Sequence, residues 1–288
     1  MNRLLTCALL LALAACRREA DVDVAQRQSP DTAPPSAQAP AAPPAVALKD
    51  VIETDPRYVI GISYPKGIDR YPGLAAELQR YADAARGELM QAVEAMGSEK
   101  PPSPYDLSLS YVTLADTPRV VAVAADGSSY TGGAHGNPLV ARFVWLPERQ
   151  ALLRADELIA DADGWRDVSA YVREQLHAAL SQRIDADELE PVERAEVIRT
   201  AGKMIDEGSD PDADNFDQFE PVLASDGRLR ALRFVFPPYQ VGPYSDGIHT
   251  VEVPAGVLLP HVAAEYRPLF AAGEGRAQAM APATAGGD

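Results

Sequence analysis

The 288-residue chain carries 42 Asp and Glu against 26 Lys and Arg, a formal net charge of −16, and 47% of its residues are hydrophobic. This is the composition of a soluble protein long enough to bury a packed core, and its charge argues against nucleic acid and anionic lipid surfaces as partners. The only two cysteines are Cys7 and Cys16. The folded part is therefore expected to hold no disulfide, no zinc–cysteine site and no thiol nucleophile.

The first residues read as a short secretory signal over 1–15. Arg3 supplies the positive start, and Leu4 to Ala14 form an eleven-residue apolar run. A bilayer span needs about 20 residues, so this run is too short to cross. It ends in Leu13-Ala14-Ala15-Cys16, which resembles the lipobox of bacterial lipoproteins. That resemblance implies lipidation of Cys16, with more than one acyl chain, because a single chain holds a membrane only marginally. Arg17 follows the cysteine where inner-membrane lipoproteins commonly have Asp, so an outer-membrane anchor facing the periplasm is expected.

Residues 16–47 are rich in Ala, Pro and Gln and nearly free of bulky apolar groups. Such a segment cannot offset its ordering entropy by burial and is expected to be a disordered tether. At roughly 3 Å per residue it could reach about 90 Å from the lipid. The Ala- and Gly-rich tail, 273–288, is expected to be disordered too.

Between these ends the periodicities predict elements. Tyr58, Ile60, Ile62 and Tyr64 alternate as in a strand. Leu74, Leu78, Tyr81, Leu89, Val93 and Met96 share one face of a helix beginning near Pro72. Tyr105, Leu107, Leu109 and Tyr111 alternate with polar residues, and Asp116-Thr117-Pro118 turns the chain into a strand at Val120 to Ala124. Leu139 to Leu146 continues that sheet. Val168, Tyr171, Val172, Leu176 and Ala179 predict an amphipathic helix, and Pro191 opens another. Strands follow at Phe219–Leu223 and Leu229–Phe236, then at Val251–Val253, with a last helix around Leu258 to Tyr266. Strands and helices come in blocks, which predicts an α+β fold of mixed or antiparallel sheets packed with several helices. An N-terminal α+β portion is expected over 48–128 and a second domain over 129–272.

Two irregular segments have the glycine and aromatic content of functional loops. One is Tyr130-Thr131-Gly132-Gly133-Ala134-His135-Gly136-Asn137. The other is Phe236-Pro237-Pro238-Tyr239-Gln240-Val241-Gly242-Pro243-Tyr244-Ser245-Asp246-Gly247. In this order, and separated by helices and a hairpin, they resemble the two motifs of the RsiV-like domain family. The resemblance spans roughly 130 to 260. The family includes lysozyme-binding ectodomains of anti-sigma factors and modules attached to peptidoglycan deacetylases. No second apolar span and no deacetylase domain is evident in the sequence, so neither whole-protein role is expected. What the resemblance implies is recognition of a cell-envelope component, a lysozyme-like cationic protein or peptidoglycan. The candidate binding residues are Gly132, Gly133, His135, Gly136, Tyr239, Pro243, Tyr244 and Gly247, on loops expected to be neighbours.

Each signal has a plainer alternative. His135 between glycines could hydrogen-bond the backbone of a tight turn, touch a ligand or serve as a base; no nucleophile-elbow motif accompanies it. Tyr239 and Tyr244 could be rigid binding anchors or could pack the loop on the sheet. Residues 155–220 hold 19 Asp and Glu against 6 Arg and Lys, which would steer a cationic partner or simply aid solubility. Asp210, Asp212 and Asp214 have calcium-loop spacing, but the position that should supply the bidentate Glu is Pro221. The four histidines are scattered, against a metal site. No metal, no cofactor and no enzymatic activity are expected. The alternatives to a binding module are a passive structural or assembly lipoprotein and a cell-wall hydrolase using His135.

Overall fold

The computed structural model describes residues 47–271 apart from Glu188. The expectations for the signal peptide, Cys16, nearly all of the linker and the tail lie outside the described residues. All described residues belong to one compact unit.

Among the described residues the elements run β1 (Val51–Asp55), β2 (Tyr58–Ser63), α1 (Pro72–Ala95), β3 (Tyr105–Asp116), β4 (Val121–Tyr130), β5 (Asn137–Leu146) and β6 (Ala151–Leu152). The chain continues with α2 (Ala155–Leu158), α3 (Ala162–Ala186), α4 (Pro191–Gly208), β7 (Phe219–Leu223), β8 (Leu229–Phe236), β9 (His249–Pro254) and α5 (Ala255–Leu258). Strands β1 to β6 form one sheet in sequence order, and β7 to β9 form a second. All neighbours are antiparallel except β2 and β3, which run parallel because α1 carries the chain back between them. The fold is α+β, with one mixed and one antiparallel sheet.

Alternation places the first core. Ile60 and Ile62 of β2 and Leu107, Leu109 and Tyr111 of β3 are buried, while Ser108 and Ser110 between them face solvent. Helix α1 begins with Pro72 at its first turn, where a missing N–H costs nothing. It lays Leu74, Leu78, Leu89 and Val93 on that face.

The first half of β4, Val121 to Ala125, reads instead as an unbroken apolar run because both of its faces are covered. Val121, Val123 and Ala125 join the α1 core, and Ala122 turns toward the second core with Val144 and Leu146 of β5. There Trp165 stacks on Phe216 at 5.0 Å, and Phe216 meets the edge of Phe234 at 5.3 Å. Arg142 of β5 joins the two sheets: its Nε donates to Glu220 of β7 at 2.7 Å and its Nη1 to Asp126 at 2.8 Å, with the side chain only 6% exposed. The backbone N–H of Arg142 donates to the Gln218 side chain at 2.7 Å.

Two boundaries differ from expectation. The division expected between 128 and 129 falls inside β4, and the first sheet continues to Leu152. The last helix, expected around Leu258 to Tyr266, is a single turn ending at Leu258. Pro260 accounts for the stop, since it has no N–H to donate to the helix carbonyl four residues before it. Val262 and Tyr266 are buried one by one from turns.

Candidate functional site

The first loop closes the β4–β5 hairpin. Gly132 and Gly133 both take left-handed backbone, with φ of 105° and 101°, a conformation glycine adopts without penalty. The Tyr130 hydroxyl donates to the Gly133 carbonyl at 3.2 Å. Gly136 lies where a Cβ would press 3.4 Å from Ser128 Cβ. His135 is exposed at the tip. Its Nδ1 lies 3.1 Å from the Gly136 carbonyl, which can only accept, so the ring proton sits on Nδ1 and Nε2 is left as the acceptor.

The second loop follows β8. The Gln240 N–H donates to the Pro237 carbonyl at 3.1 Å, and Tyr239 between them has φ of 77°. That is the pattern of a type II turn with Pro238 at its second position, where the third position ordinarily calls for glycine. A tyrosine there stores backbone strain of roughly 1–3 kcal/mol. The strain is held by its surroundings. The Gln240 side-chain amide donates to the carbonyls of Gly208 and Asn215, both at 2.9 Å, and Val241 is buried at 2% exposure. Pro243 leads a short 3-10 turn, Tyr244–Asp246, and Gly247 leaves it at φ 71°.

The two loops meet. The Tyr239 hydroxyl lies 2.8 Å from His135 Nε2 and donates to it. The His135 and Tyr244 rings stack with centroids 4.1 Å apart and planes 13° apart, and Tyr239 leans on Tyr244 at 5.7 Å. Tyr239 remains 51% exposed and Tyr244 38%. Three rings thus form one pre-set surface unit in which both nitrogens of His135 are already engaged.

Of the sequence candidates, His135, Tyr239 and Tyr244 come together directly. Gly132, Gly133, Gly136, Pro243 and Gly247 shape the two loops. Sequence reasoning passed over Gln240, which anchors the second loop, and Arg183 behind it. Arg183 of α3 pairs with Asp246, and Nε2 of His249 lies 4.0 Å from the same carboxylate oxygen. Burial holds the His249 imidazole below its ordinary value, against the pull of Asp246 and with the push of Arg183. Only the position of Gln240 between Tyr239 and Val241 hinted at an anchoring role; helix α3 gave no sign that Arg183 would reach this loop.

The acidic stretch takes another course. Asp212 accepts from its own turn at Asp214 N–H, at 3.1 Å, and Asn215 donates to Asp210. Glu220 turns to Arg142 and Arg233. Burial and the Asp214 carboxylate raise the Asp217 carboxyl above its usual range. Among the described residues no three or more His, Cys, Asp or Glu side chains are grouped to hold a metal ion. No described helix is long and apolar enough to cross a membrane.

Residues 52–138 match the family model described as Deacetylase PdaC, and residues 162–256 match the model described as protein of unknown function DUF3298. The first loop lies within the first of these stretches and the second loop within the other. No curated protein matches the chain. Among solved structures, a DUF3298 family member from Bacteroides fragilis is similar at 14% identity and a TM-score of 0.43, over 76% of this chain and 93% of that one. A DUF3298 family protein from Pseudomonas aeruginosa is similar at 12% identity and a TM-score of 0.46, over 78% of this chain and 96% of that one. A stretch that matches the DUF3298 model thus follows one that matches the PdaC model, consistent with an RsiV-like domain beside a deacetylase-like one.

Proposed function

We propose that the protein is a lipid-anchored binding module of the bacterial envelope, held at the outer membrane through Cys16 and facing the periplasm. Its recognition surface is the His135–Tyr239–Tyr244 cluster, and its ligand is an envelope component, a lysozyme-like cationic protein or peptidoglycan. The observation that carries this reading is the exposed three-ring unit, hydrogen-bonded and stacked in place at the cost of a strained tyrosine. Rigid exposed tyrosines supply contact area at little entropic cost. Strain of this kind is characteristic of positions selected for a task other than stability.

Binding fits this arrangement better than turnover. A histidine base ordinarily holds a nucleophile's hydroxyl on one nitrogen and an orienting carboxylate at the other, whereas His135 meets the phenol of Tyr239 and the backbone carbonyl of Gly136. The acidity of 155–220 suits a cationic protein ligand, whereas the flat aromatic faces suit a glycan equally well.

The test is a titration of residues 48–288 against a c-type lysozyme, following binding heat and lytic activity, with sedimentation on purified peptidoglycan as the second arm. Saturable binding at physiological salt in either arm, lost in His135→Ala and Tyr244→Ala proteins that remain folded, supports the reading and selects the ligand. Unchanged binding in those variants removes the cluster as the site. Absence of binding in both arms removes both ligands.

A further inference from the structure

Strand β1 is an outer edge of the first sheet. Asp55 and Tyr58 close its hairpin to β2, so Val51, Glu53 and Asp55 turn their backbone N–H and C=O groups toward β2. Ile52 and Thr54 therefore turn theirs outward, where they meet no backbone partner among the described residues. An open edge of this kind is a template for another strand, and proteins usually blunt it with brevity, proline or charge. The opposite edge of the sheet, β6, is two residues long, and β7 of the second sheet carries Pro221. Strand β1 contains no proline, and the residues whose backbone faces out are both uncharged. Ile52 is also 87% exposed. The acids of the strand are already engaged, Glu53 by Arg86 and Asp55 by Arg57.

We infer that β1 pairs with β1 of a second copy of this chain, antiparallel about a two-fold axis at Ile52, joining two six-stranded sheets edge to edge. The residues select this register. With the axis at Ile52, its outward N–H and C=O bond those of the partner's Ile52 in both directions, and the two exposed side chains cover each other. Thr54 faces the partner's Asp50 in the same way, and one step further Lys49 comes opposite Asp55. Arg57 uses only Oδ1 of that carboxylate, so Oδ2 is left for the lysine. The neighbouring registers are poorer. An axis at Glu53 sets two glutamates directly opposite, which destabilises a sheet. An axis at Thr54 sets Glu53 against Asp55 and Ile52 against Pro56, which has no N–H to give. An axis at Val51 overlaps the two strands at a single residue. The partner is a second copy because this edge complements itself, apolar against apolar and lysine against aspartate. Most of the chain's excess negative charge lies in 155–220, outside the first sheet.

Pairing through β1 involves none of the three rings and does not depend on what they bind. The contact is small, in the class of weak and transient interfaces, so a Kd on the order of 100 μM is expected. The experiment uses the full chain with Cys7→Ser and Cys16→Ser, which then contains no cysteine. Sedimentation equilibrium should show monomer and dimer. Ile52→Lys sets like charges against each other at the axis and should weaken dimerisation at least about fivefold. Ile52 is exposed, so this variant should keep its circular dichroism and its denaturation midpoint. Oxidative crosslinking then reads the register. Ile52→Cys should link to itself, since the opposed Cα atoms of such a pair lie about 5.5 Å apart, within disulfide reach. Thr54→Cys should not link to itself but should link to Asp50→Cys when the two proteins are mixed. A chain that stays monomeric up to about 1 mM, or whose self-association survives Ile52→Lys, overturns the inference. So does Thr54→Cys linking to itself as fast as Ile52→Cys.

Discussion

The hydroxyl of Tyr239 and Nε2 of His135, 104 positions apart in the chain, are joined by a 2.8 Å hydrogen bond that ties the hairpin of the first sheet to the loop leaving the second. Both residues are exposed, so the bond does little for stability; an ordinary hydrogen bond contributes about 1 kcal/mol at most sites. Its consequence is orientation, because it fixes the imidazole face on which Tyr244 stacks. Tyr239→Phe is expected to keep the fold and weaken ligand binding about three- to tenfold, the equivalent of one modest hydrogen bond.

Tyr239→Gly separates strain from contact. Glycine takes φ of 77° freely, so the substitution relieves roughly 1 kcal/mol of backbone strain while losing the hydroxyl bond and an exposed ring. Chemical denaturation should show a stability change smaller than about 1 kcal/mol, of either sign. Ligand binding should fall at least tenfold. A large loss of stability would mean that the tyrosine packs the loop and is not an exposed anchor.

The second loop is held from below by the end of α4. A Cβ on Gly208 would lie 1.9 Å from the Gln240 carbonyl oxygen and 2.6 Å from its carbon, and both are backbone atoms that cannot swing aside. Gly208→Ala must therefore move the loop. It is expected to destabilise the protein by about 1–3 kcal/mol, the usual cost of overpacking. It should also shift the Tyr239 and Tyr244 resonances although neither residue is touched. Unmoved tyrosine signals would show that the loop is not braced on α4.

Much of this fold was legible in the sequence, and the exceptions have physical causes. Strands β2 and β3 advertise themselves because one face is buried and the other is not, and β8 because its apolar run is buried on both faces. Strand β4 was seen only as Val120 to Ala124, since its distal half, Asp126 to Tyr130, carries small and polar residues on an open part of the sheet. The edge strands β1 and β6 are short and carry little apolar signal; Ile52, the bulkiest residue of β1, is 87% exposed. In the site, glycine and aromatic spacing marked the two loops, but that His135 stacks on Tyr244 depends on sheet register and loop anchoring. The pairing of Arg183 with Asp246 spans 63 positions and leaves no local pattern.

Arg142 is the polar link between the two sheets. It is 6% exposed, and Glu220 opposite it is 15% exposed. Removing one partner of a buried pair leaves the other charge uncompensated, at a cost of about 3–5 kcal/mol. Arg233 at 3.4 Å retains part of the compensation for Glu220, so Arg142→Met should cost about 3 kcal/mol, at the lower end of that range. Denaturation midpoints check the loss, and restoring stability by pairing Arg142→Met with Glu220→Gln would confirm that the orphaned carboxylate causes it. Additive losses would place the cause in the hydrogen bond to Gln218 or in packing.

His249 sets an acid limit on stability. Burial is the largest influence on its imidazole and holds its pKa below the ordinary 6.5; Asp246 opposes the shift and Arg183 reinforces it. Above pH 6.5 the imidazole is neutral in both the folded and unfolded chain, so it adds no pH dependence. As pH falls through 6.5 the unfolded chain takes up a proton that the folded protein refuses, and stability declines. The decline ends when pH reaches the depressed folded value, below which both states are protonated. For one proton the slope cannot exceed about 1.4 kcal/mol per pH unit. Urea unfolding of the native protein and of His249→Phe, measured from pH 7.5 down to 5, should give curves that separate below pH 6.5, with the native protein losing more. Parallel curves would show that His249 is not held neutral, and a native protein gaining stability on acidification would put Asp246 ahead of burial.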